Sequence, residues 1–79
     1  MALADDIEMV QGHVRLGRRH ISEQRERISD LERLQLPTGK AFEVLDLFES
    51  MQDLHEQHLS RLLAKAEERG LDARQRVDA

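Results

Sequence analysis

Cysteine is absent from this 79-residue chain, which excludes disulfides, thiolate metal ligands and thiol nucleophiles together. A chain this short with no covalent staple buries a modest core, so a partner chain is the expected source of further stability. Aromatic residues are nearly missing as well: two Phe and no Trp or Tyr. That removes the stacking platforms on which single-stranded nucleic acids are read. No run approaches the roughly 18 apolar residues that span a bilayer, and the opening MALADDIEMV carries acids where a signal peptide carries basic residues. A soluble, cytoplasmic protein with no membrane partner is expected. Basic residues are in the minority, 12 against 16 acidic, for a formal charge of -4, which disfavours a general binder of phosphate backbones.

Proline occurs once, in LQLPTGKA, the strongest punctuation in the middle of the chain. Leu36 precedes Pro37 and is pushed away from helical geometry, so a first helix is predicted over 3–36. After a loop at 37–38, Thr38 is expected to cap a second helix over 39–69 with its hydroxyl. Residues 1–70 would then be one helical hairpin, with 71–79 a frayed tail.

What is present is periodicity. Ile7, Val10, Val14, Gly17, Ile21, Gln24, Ile28, Leu31 and Gln35 advance in steps of three and four, the mark of a heptad seam. Ala41, Leu45, Phe48, Gln52, His55, Leu59, Leu62 and Ala66 do the same in the second segment. Two helices with matching seams and a tight connection make an all-α, antiparallel, coiled-coil-like hairpin. A turn near residue 37 sets a register in which partners' numbers sum to about 76. Gln24 is then expected to face Gln52, Ile21 to face His55 and Gly17 to face Leu59. On the flanks, Arg18 is expected beside Glu56, Arg25 beside Glu49 and Leu34 beside Val44. Gln24, Gln52 and His55 would form a polar core layer, which weakens a seam but fixes its register and partner number.

A second rhythm runs beside the first on helix 2: Val44, Leu47, Met51 and Leu54, extending to His58 and Arg61. A two-helix hairpin has no third element to cover it, and a long exposed apolar strip marks an association surface. Two hairpins are therefore expected to pack as a four-helix bundle, most simply a two-fold homodimer, with Val44, Leu47, Met51, Leu54 and His58 in the interface.

Chemistry-bearing motifs are weak. HEQH resembles the zinc motif H-E-x-x-H, but its histidines are three apart instead of four, and no third ligand is local. The expected register brings His20, His55 and His58 near one level, which makes a transition-metal site from these three the alternative to the polar layer. Against it, Gln52 occupies the place where a di-iron bundle needs a carboxylate. GHVRLGRRH has glycines and an arginine but no preceding strand and no Lys-Ser/Thr, so it is no phosphate loop. Arg15, Arg18, Arg19, Arg25 and Arg27 make helix 1 basic, whereas Glu43, Asp46, Glu49, Asp53 and Glu56 make the first half of helix 2 acidic. Mutual complementarity explains this more economically than a nucleic-acid regulator built on the arginines. No Ser-His-Asp set is recoverable, and a long hairpin lacks the concavity catalysis uses. The expectation is a noncatalytic interaction module with no cofactor, which self-associates and can take a further protein partner.

RRHISEQRERISDLERL followed by AFEVLDLFESMQDLHEQHLSRLL resembles small uncharacterised helical proteins of alphaproteobacteria, especially of rhizobial genera. The matching positions are Arg19, His20, Gln24 and Ile28 in the first helix and Leu47, Phe48, Glu49, Gln52, His55 and Arg61 in the second. The likeness covers about residues 13–63. It departs at the connection, where a glycine-polar-threonine turn is usual and this chain has LPTG. The resemblance implies a bacterial cytoplasmic setting and no particular activity.

Overall fold

A computed structural model describes residues 2–70 of the chain. Two α-helices, α1 (Leu3–Arg33) and α2 (Gly39–Glu68), pack against each other as a hairpin, and there is no strand among the described residues. Each helix is about 45 Å long at 1.5 Å per residue. The predicted tail at 71–79 lies outside the described residues.

The first helix ends three residues before the point set by the proline. Gln35 takes the left-handed conformation, φ 58°. The Leu36 N–H donates to the Leu31 carbonyl at 2.9 Å and the Gln35 N–H to Glu32 at 3.0 Å. These two bonds are a Schellman cap, which satisfies carbonyls that the helix end would otherwise orphan. Gln35 is thus the capping residue, and its predicted place on the seam is corrected. Pro37 follows where a chain that has already left its helix tolerates it.

Thr38 is also corrected. It precedes α2 with φ -116° and ψ -4°, and its side chain makes no capping hydrogen bond. An N-cap hydroxyl reaches the helix N–H groups from extended backbone, which Thr38 does not adopt. Only its carbonyl engages the helix, accepting from the Phe42 N–H at 3.0 Å.

A left-handed backbone costs a residue with a Cβ about 1 kcal/mol relative to glycine. Gln35→Gly is expected to stabilise the fold by about that much and to raise its melting midpoint by roughly 4–8 °C. Urea melts with an unchanged slope test it, and a lowered midpoint would refute the cap as the reason α1 stops there.

The core is thin. Val10, Val14, Ile28, Leu45 and Leu62 are the buried apolar residues, joined by two buried amides, Gln24 and Gln52. All seven lie on the predicted seams, but the register differs from the predicted one by about a heptad. Gln52 packs on Gly17, not on Gln24. His55 lies against His13 and Phe48 against His20. A heptad pattern defines register only to a multiple of seven, since a slip of seven returns every seam residue to a seam residue. The early end of α1 moves the turn toward lower numbers, and the hairpin takes the corresponding lower register. The Arg25–Glu49 flank pair is present at 2.7 Å. With both side chains substantially exposed, it contributes at most about 1 kcal/mol.

Candidate functional site

The predicted polar layer of Gln24, Gln52 and His55 is two separate devices. Gln24 crosses the seam with its Nε2 donating to the Ala41 carbonyl of α2 at 2.9 Å, while its Oε1 accepts from Arg27 at 3.5 Å. Gln52 reaches the other way, its Nε2 donating to the Val14 carbonyl of α1 at 2.8 Å and to Glu56 at 3.4 Å. Each helix thus sends one glutamine to the other's backbone. The amides do not pair with each other, because Gly17, Gln52's neighbour, is one heptad from Gln24, about 10 Å along the axis.

Gly17 makes the second device possible. A Cβ there would lie 2.8 Å from Gln52 Cδ and overlap its Oε1. The glycine is therefore a hole into which the amide inserts, and it is the one glycine of the α1 seam. Gly17, expected to face Leu59, instead receives Gln52. Gln52 Oε1 is buried without a hydrogen-bond partner, and so is His55 Nδ1.

One face of the hairpin carries uncovered apolar side chains from both helices. On α2, Val44, Leu47, Met51 and Leu54 are exposed, Leu54 at 64% and Leu47 at 58%, and exposed His58 continues the line. On α1, Met9, His13, Leu16 and His20 follow the same three-four spacing and are also exposed. The α1 strip borders the α2 seam, and His20 shares a groove with Val44 of the α2 strip, so the two strips lie on the same side. His13 meets His55 with ring centres 5.4 Å apart, His20 meets Phe48 at 5.7 Å, and one groove is lined by His20, Glu23, Gln24, Arg27, Val44 and Phe48. The α2 strip is the one expected from the sequence, and the α1 strip was not expected. Its signal was legible in the spacing 9, 13, 16, 20 but diluted by two histidines.

The opposite side is polar. Arg18, Ser22, Arg25, Glu26, Ser29, Gln52 and Glu56 line a groove there with Ile21. Arg18 and Glu56 share this groove as predicted but form no ion pair. Among the described residues Arg15, Arg18, Arg19 and Arg27 on α1, and Glu43, Asp46 and Asp53 on α2, have no ion-pair partner within 4 Å.

The predicted metal set of His20, His55 and His58 is not assembled within one hairpin. His20 packs against Phe48, His58 is exposed, and among the described residues no group of three potential ligands converges. What the fold does bring together is His13 and His55, one from each helix. No described helix is long and apolar enough to cross a membrane. No protein-family model matches the chain, and no curated protein or solved structure shows significant similarity to it.

Proposed function

We propose that this protein is a noncatalytic helical-hairpin interaction module that acts as a homodimer, two hairpins packing through the face of Val44, Leu47, Met51, Leu54 and His58 into a four-helix bundle. One observation carries the reading: the hairpin buries five apolar residues but leaves ten large ones exposed, the reverse of what a self-sufficient domain does. An apolar face continuous over both helices is what a further pair of helices covers.

Charge supports a second copy as the occupant. The α1 arginines and α2 acids that lack ion-pair partners among the described residues are complementary in charge. Of these, Arg27 lines the groove beside Val44, at the edge of the association face, where the acidic α2 of a second copy can reach it. A nucleic-acid role for the arginines draws less support, because Arg25 is already committed to Glu49 and the net charge is -4. The likeness to small alphaproteobacterial proteins supports a cytoplasmic setting.

Sedimentation equilibrium of the full chain at micromolar concentration is the test. A mass of two chains is expected, and a folded single chain over the whole range would overturn the proposal.

A further inference from the structure

We infer that the dimer binds a zinc-type transition cation between its two copies, held by His13 and His55 of each. This rests on the self-association reading, since one hairpin supplies half of the ligand set.

One hairpin brings two imidazoles together. His13 of α1 and His55 of α2 have ring centres 5.4 Å apart, with planes inclined by 43°. Zinc–nitrogen bonds of about 2.0–2.1 Å place an imidazole centre roughly 3.2 Å from the metal, so two rings at a tetrahedral angle have centres about 5 Å apart. The observed spacing already matches, and the two rings come from different helices, so their separation is set by the hairpin's register.

A second observation points to a missing ligand. His55 Nδ1 is buried and has no hydrogen-bond partner. A polar nitrogen shut away from water without a partner is costly, about 1–3 kcal/mol. Ligation of this nitrogen by a metal seated between the His13 and His55 rings would satisfy it and fix the tautomer and orientation of the ring.

The third is where the histidines lie. The chain has four: His13, His20 and His58 are exposed, and half-buried His55 lies at the seam against His13, so all four border the side on which the apolar strips lie. An ordinary solvated surface would scatter them. A two-fold axis passing at the level of His13 and His55 doubles the pair to four imidazoles, the coordination number of a closed zinc site. Imidazole ligands suit zinc, copper or nickel and not magnesium or calcium. An apolar surround excludes competing water, and a closed set leaves no open position for chemistry, so the site is structural and strengthens the dimer.

The experiment uses tag-free full-length chain, stripped with chelator and titrated with zinc ions, and follows both calorimetry and sedimentation. One zinc per two chains is expected, together with tighter association. His13→Ala is expected to weaken zinc binding at least about 100-fold, as loss of a direct ligand must exceed the loss of an outer-shell partner. His20→Ala is expected to leave it within a few-fold. His13 is exposed, so its variant keeps the fold, which circular dichroism checks. If the stripped chain dimerises but takes up no zinc, the metal inference falls and the dimer stands. If the chain stays monomeric with and without zinc, both fall. Zinc bound one per chain, or bound equally well by His13→Ala, also overturns the inference.

Discussion

The double variant Leu47→Glu/Leu54→Glu is expected to sediment as a single chain and to melt well below the parent. These two leucines are the most exposed of the α2 strip, so within one hairpin they touch little and their replacement would cost almost nothing. In the proposed dimer each is buried. Burying a leucine is worth about 1.5–3 kcal/mol, and four are lost from a two-fold interface, giving at least roughly 6 kcal/mol, or more than four decades in Kd. Carboxylates facing an apolar partner add a desolvation cost on top. Because the hairpin's own core is small, dissociation should lower the melting midpoint by about 15 °C or more. Leu63→Glu is the control: Leu63 is exposed at 43% but lies off the three-four line through Val44, Leu47, Met51 and Leu54, and it should leave the mass unchanged. An unchanged mass and midpoint in the double variant would mean that the strip is an ordinary surface.

A leucine at Gly17 is expected to destabilise the fold by about 3 kcal/mol. Two costs combine. Extra side-chain volume in a packed seam costs roughly 1–3 kcal/mol. The displaced Gln52 amide loses its bond to the Val14 carbonyl, leaving a buried donor unsatisfied for another 1–3 kcal/mol or so. Part of this is offset by relief of a mid-helix glycine, about 1 kcal/mol. The diagnostic is the pair: Gly17→Leu/Gln52→Ala is expected to recover about 2 kcal/mol of the loss, since the leucine then fills the space the amide vacates. Urea melts of the two single variants and the double variant measure this directly. Strict additivity would show that Gly17 and Gln52 are not lock and key, and the account of the register would fail with it.

Heptad spacing places Val10, Val14, Gln24 and Ile28 on one seam and Leu45, Gln52 and Leu62 on the other, and all seven are buried. Period alone suffices for this, because the side a residue faces on a helix depends on its spacing from its neighbours and on nothing distant. The Arg25–Glu49 pair forms although the register slips, because flank positions keep their side of the seam and two long side chains reach along the axis.

Facing partners were not legible in the sequence. Gln24 and Gln52 are the single glutamines at mid-seam of their helices, and a turn placed near residue 37 set them opposite each other. The fold instead gives Gln52 to Gly17 and Gln24 to the Ala41 carbonyl. Nothing in seven-residue periodicity separates these two registers. The choice turns on five connecting residues, where Gln35 adopts a conformation that its side chain does not favour. Pro37 drew attention to the wrong residue, since a proline rule speaks to Leu36 and is silent about Gln35.

Sequence by itself therefore determined two amphipathic helices, the seam each presents, and the strip on α2 left over once those seams meet. Tertiary structure decided the register, and with it the pairing of His13 with His55, the glutamine bonds to opposite backbones and the joining of two strips into one face. The division follows from the range of the forces. Helical periodicity is local and repeats, so it survives a slip of seven residues unchanged. A hole at one glycine and a cap at one glutamine occur once each, and features that do not repeat are what select one register among equivalents.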